Sequence, residues 1–159
     1  MPHEIDLAVE DARWETEIPG LEALVARAVE AGLAIAPEKP DGPVAVSVLL
    51  TDDAAVQELN RTWRGKDKPT NVLSFPAAPQ PRHDEAATPL GDVVLAYETL
   101  VRESAEQSKP LQNHLAHLLV HGTLHCLGQD HEIGEAEADA MEALEVAALA
   151  TLGIPDPYA

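Results

Sequence analysis

His121-Gly122-Thr123-Leu124-His125-Cys126-Leu127-Gly128-Gln129-Asp130-His131 is the stretch from which the rest of the chain is read. Two histidines four residues apart share one face of an α-helix, one turn above the other. Gly128 follows three positions later, where glycine can enter the left-handed conformation, end the helix and turn the chain. The turn can bring His131 back toward the first two rings. Three neutral imidazoles meeting at one point make a zinc site with a fourth position open to water, and such a site marks chemistry, because structural zinc is usually closed by four protein ligands. The bland alternative is a set of packed histidines. A pair four apart is weak by itself, and the third histidine beyond a glycine stop raises the expectation of a metal. His117 prolongs the stripe, but ligands on successive turns are about 5–6 Å apart along a straight helix and cannot all reach one ion. The expected ligands are therefore His121, His125 and His131. His117 is expected to be packed or to support a ligand, and His114 to be a surface or packing residue. Cys126 points about 100° away from His125 on a helix and is expected to be a small buried hydrophobe.

Outward from this run, Pro110 opens the histidine helix, and Leu111, Leu115, Leu118, Leu119, Val120, Leu124 and Leu127 cover much of its circumference, so it is expected to be largely buried. Strand patterns span 3–9, 44–50, 71–75 and 90–96; the second, nearly all apolar, reads as a central strand. Helical patterns span 19–34, the segment after a Thr51 or Asp52 cap carrying Val56, Leu59 and Trp63, 97–107, and 134–152. The proline-rich segment 76–89 is expected to be an exposed, mobile loop. Strands that mostly precede helices predict an α+β fold: one mixed sheet of about four strands packed with about five helices, forming a single domain over 1–159.

The chain has 159 residues, 45% of them hydrophobic but only 3% aromatic, so its core must rest on aliphatic side chains. A single cysteine excludes an internal disulfide and fits a reducing compartment. The acidic N-terminal stretch lacks a long apolar run, so neither a signal peptide nor a membrane span is expected, and the cytoplasm is the simplest location. The net charge of −18 argues against indiscriminate nucleic-acid binding. Yet Arg61, Arg64, Lys66 and Lys68 form one dense basic cluster, able to hold an anion locally or simply a solvated loop. No feature of the sequence sets an oligomeric state.

The histidine spacing equals that of the extended metalloprotease motif, with one break. Those proteases need a glutamate general base directly after the first histidine; here that position is Gly122. Peptide hydrolysis by that route loses its proton acceptor. RNA needs less help, because its own 2′-hydroxyl can be the nucleophile while a metal and an arginine neutralise developing charge. Arg64 suits that task, since a guanidinium grips phosphate oxygens bidentately.

Three segments carry a resemblance. Leu115-Ala116-His117-Leu118-Leu119-Val120-His121-Gly122-Thr123-Leu124-His125, followed by Gly128 and Asp130-His131, resembles the signature of the YbeY family. So do Leu59-Asn60 with Arg64-Gly65-Lys66-Asp67-Lys68-Pro69-Thr70-Asn71-Val72-Leu73-Ser74-Phe75-Pro76, and Leu90-Gly91-Asp92-Val93-Val94-Leu95. The resemblance implies a bacterial single-strand-specific endoribonuclease that matures ribosomal RNA, notably the 3′ end of the small-subunit RNA, and serves ribosome quality control. It implies one zinc ion on His121, His125 and His131, Arg64 as the functional basic residue beside it, and an α+β fold with a metalloprotease-like metal helix. Two residues depart from the pattern: Cys126, where the family usually has an aliphatic residue, and Gln129, where it often has tyrosine.

The leading expectation is thus metal-dependent cleavage of single-stranded ribosomal RNA, in which zinc activates water or polarises the scissile phosphate, with Arg64 binding phosphate, Lys66 and Lys68 guiding the strand, and Asp130 either orienting a ligand ring or forming a turn. A metallohydrolase of another substrate is the second reading. The third is a non-enzymatic ribosome assembly factor whose zinc is structural and whose acidity meets basic ribosomal proteins.

Overall fold

Ile5, Leu7 and Val9 alternate with more exposed neighbours and form the first strand, β1 (Glu4–Val9). In chain order follow α1 (Arg13–Glu17), α2 (Leu21–Ile35), β2 (Val44–Thr51), α3 (Asp53–Arg64), β3 (Val72–Pro76), β4 (Thr88–Ala96), α4 (Tyr97–Glu106), α5 (Leu111–Cys126) and α6 (Glu135–Thr151). These come from a computed structural model of the chain that describes residues 3–78 and 87–159. The segment expected as a mobile loop lies mostly outside the described residues. At its borders the expectation is corrected: Pro76 ends β3, and Thr88 and Pro89 begin β4.

Among the described residues the sheet has four strands, in the order β1-β2-β4-β3. β2 pairs in parallel with both β1 and β4, and β3 runs antiparallel along β4 as an edge. The nearly continuous apolar run of β2 suits this central place. Val46, Val48 and Leu50 enter the main core with Val93 and Leu95 of β4, Val25, Val29 and Leu33 of α2, and Leu115, Leu119 and Leu124 of α5. A smaller cluster on Val56, Leu73, Val94 and Ala96 brings α3 to the sheet. Among the described residues no helix is long and apolar enough to cross a membrane.

Among the described residues six helices stand where about five were expected. The addition, α1, is one short turn held by tertiary contacts. Trp14 is buried, donates its indole N–H to the Thr51 carbonyl at 2.9 Å, and meets Tyr97 edge-on at 5.2 Å. A stretch this short has no periodic signature to read. Of the apolar residues that α3 carries, Val56 is buried and Trp63 is 70% exposed, and Asn60 takes the buried place near the helix end.

Cys126 is buried, as expected. Burial, and then the charge of Asp92, push its thiol up to about 12. The thiolate is the reactive form. Native protein at pH 8 is therefore expected to resist iodoacetamide, with labelling seen by mass spectrometry only after denaturation; rapid labelling of the native chain would contradict this burial.

Candidate functional site

Two segments with opposite chemistry face one cavity. The first begins at the end of α3. Asp52 caps that helix by accepting from the Ala55 N–H at 2.9 Å, and Gly65 closes it in the left-handed conformation at φ 70°. From within the helix, the buried Asn60 ties the basic loop down. Its backbone carbonyl accepts from the Lys66 N–H at 3.2 Å, and its side-chain amide donates to the Lys68 carbonyl at 2.9 Å. The loop's far end is pinned by Asn71, whose amide donates to the Glu103 carboxylate at 3.1 Å. Glu103 also pairs with Nε2 of His114 at 2.8 Å, so His114 is a buried packing residue and not a surface one.

The second segment is the end of α5. The Gln129 N–H reaches back to the Leu124 carbonyl, and Gly128 sits at φ 94°, so the helix stops and turns as its glycine implied. His121 and His125 lie on the last turns, and His131 lies beyond the bend.

One cavity of about 270 Å³ is lined by Arg64, Lys66 and Lys68 and also by His121, His125 and His131, with Asn60, Ser74 and Glu132 among its other walls. All six side chains singled out from the sequence thus share a single space. The His121 and His131 rings are 5.1 Å apart. Burial lowers the pKa of His125; the Asp130 charge opposes this, and those of His121, His131 and Arg64 add to it. The ring is held neutral, which is the form that binds a metal. Its buried Nδ1 has no hydrogen-bond partner among the described residues. The donor chemistry therefore fits a divalent cation. Among the described residues, however, no three His, Cys, Asp or Glu side chains are gathered closely enough to hold an ion as they are placed.

Gly122, the position of the missing protease glutamate, is filled from outside. A Cβ there would lie 2.6 Å from Cγ1 of Val93 and 3.2 Å from Oγ of Ser74. The helix packs so closely on β4 that even a Cβ would force Val93 to shift.

Asp130 forms the turn: its Oδ1 accepts from the Glu132 N–H at 2.8 Å. A carboxylate that hydrogen-bonds to a cavity histidine is Glu145 of α6, which sequence reasoning missed. Its Oε2 accepts from Nδ1 of His121 at 2.9 Å, while Oε1 meets Nε2 of His117 at 2.5 Å and the Tyr158 hydroxyl at 2.6 Å. Burial pushes this carboxyl upward, but the hydrogen bonds from His117, His121 and Tyr158 outweigh it and hold it down at about 2. The available signal was a lone glutamate in the apolar stripe of Met141, Ala148 and Leu149. His117 meets the other oxygen of the same carboxylate and is thereby packed behind His121.

The family profile described as Endoribonuclease YbeY matches residues 8–153. A protein of Sinorhizobium fredii named Endoribonuclease YbeY is 49% identical over 160 residues, covering 98% of this chain and 91% of its own length. A Rhodopseudomonas palustris protein of the same name is 52% identical over 149 residues, covering 92% of this chain and 86% of its own. The solution structure of TM1509 from Thermotoga maritima has a TM-score of 0.54 at 20% identity, covering 96% of this chain and 91% of that one, and so shares the fold.

Proposed function

Because the chain belongs to the YbeY endoribonuclease family, we propose that it cuts single-stranded RNA in the maturation of ribosomal RNA, including the 3′ end of the small-subunit RNA, and in ribosome quality control. In this reading residues 1–159 work as one domain in the cytoplasm, on or near the ribosome and its proteins. The observation that carries the proposal is the shared cavity: three histidines and three basic side chains line the same 270 Å³.

His121, His125 and His131 would hold one zinc ion, with the turn at Gly128 bringing the third ring to the helix. When bound, the ion supplies Lewis-acid polarisation of a phosphoryl oxygen. Arg64 grips the scissile phosphate, where a planar guanidinium can make two parallel hydrogen bonds. Lys66 and Lys68 hold neighbouring phosphates, and Asn60 keeps their backbone in place. The small volume and its position between a loop and a helix end suit a single strand more than a rigid duplex. With glycine at position 122 the chain offers no carboxylate there to activate water, so the nucleophile of this reading is the substrate's own 2′-hydroxyl.

The test compares a single-stranded precursor of ribosomal RNA, the same strand annealed to its complement, and a mixed peptide library. Expected are cuts in the single strand, protection in the duplex, loss of cutting after chelation and its return with added zinc. Peptide turnover without RNA cleavage would overturn the proposal in favour of a different metallohydrolase.

A further inference from the structure

We infer that Glu145 is a positioning residue of the cavity: it fixes the His121 ring so that Nε2 is offered to the metal, and Tyr158 holds Glu145 in that pose. The inference rests on the metal-binding part of the proposed function. Glu145 is 1% exposed and shares its face of α6 with Met141, Ala148 and Leu149. A carboxylate among such neighbours is strongly unfavourable unless every oxygen is paired. Here both oxygens are: Oε2 with His121, and Oε1 with His117 and Tyr158.

A carboxylate receiving three donors acts only as an acceptor, so the nitrogen facing each oxygen must carry its hydrogen. His121 is thereby the Nδ1–H tautomer, and the lone pair lies on Nε2. His117 turns Nε2 to the same carboxylate and, unlike His121, does not line the cavity. One residue thus meets two histidines of one helical stripe, one the proposed ligand and the other packed behind it. Tyr158 lies in the segment after α6, which is tied to the α4–α5 turn by the Lys109 ammonium donating to the Pro157 carbonyl at 2.5 Å. That segment holds the hydroxyl against Glu145 at 2.6 Å. Outer carboxylates of this kind orient a ligand ring, and their loss typically weakens metal binding about 10–100-fold.

The test uses the full chain and reads zinc affinity by chelator competition, together with the His121 tautomer by long-range ¹⁵N–¹H NMR on metal-free protein. Glu145→Met is expected to weaken zinc binding about 10–100-fold and to lose the pure Nδ1–H form. Glu145→Gln, which keeps one acceptor oxygen, retains more of both. Tyr158→Phe leaves the carboxylate in place and is expected to weaken zinc binding by about threefold, as befits one hydrogen bond removed at a distance from the ligand. A folded Glu145→Met chain with native zinc affinity and native tautomer overturns the inference. Should that variant not fold, unchanged affinity and tautomer in both Glu145→Gln and Tyr158→Phe overturn it instead. Neither readout involves RNA, so wild-type protein that shows the expected tautomer and binds zinc but leaves RNA intact would sink the proposed function alone.

Discussion

Arg64→Ala is expected to lower single-stranded RNA cleavage by about 10²–10³-fold, the usual effect of removing one preorganised donor from a developing anion. Its stability should stay within about 0.5 kcal/mol of wild type, since the side chain is exposed and belongs to no core cluster. The residue is the last of α3, is exposed, and lines the cavity with the three histidines. Its charge is felt by His125, which places the guanidinium within electrostatic reach of that ring. Arg64→Lys keeps the charge but loses the planar fork, and should fall between the two. Single-turnover cleavage and thermal melting of the three proteins measure this. Full activity in folded Arg64→Ala would remove the phosphate-binding role and with it the mechanism proposed for the cavity.

Gly122→Glu is expected to destabilise the fold by more than about 3 kcal/mol and to create no peptidase. Two opposing effects meet at this position. Placing a side-chain-bearing residue in the middle of a helix ordinarily gains up to about 1 kcal/mol over glycine. Against that stands a Cβ only 2.6 Å from Val93 Cγ1, in a strand buried on the main core. Overpacking of this sort costs about 1–3 kcal/mol before any polar group is added, and an unpaired carboxylate at a buried position adds several more. Sterics win. Gly122→Ala isolates the first part and should itself be destabilising by up to about 2 kcal/mol, the overpacking cost less the propensity gain. Urea unfolding of both variants, with a peptide hydrolysis screen, checks the argument. A Gly122→Ala chain more stable than wild type would mean that α5 does not rest on β4 as described.

The reach of sequence reasoning follows the range of the interaction behind each feature. The histidine helix, its stop at Gly128 and the central strand were legible because each depends on spacing within a few residues. The basic loop was legible as a cluster, and its capture by Asn60 spans only 6–8 positions, although nothing in composition announces it. The exposure of Trp63 was not legible, because the apolar pattern of α3 does not tell how far along the helix the sheet extends. α1 escaped notice because one turn anchored by Trp14 gets its order from Thr51, 37 positions away.

By itself, then, the order of amino acids determined the α+β class, the family and the residue types that would gather into a site, since all of these are written in local period, turn chemistry and motif. Tertiary packing alone decided which carboxylate stands behind His121, why His117 is turned away, and why a side chain at position 122 would crowd Val93. The physical reason is that each of these is a contact between separate elements: Glu145 meets His121 from 24 positions along the chain, and Val93 fills the space beside Gly122 from a neighbouring strand. Such contacts depend on where α6 and β4 come to rest against α5, and no repeat along either segment carries that information.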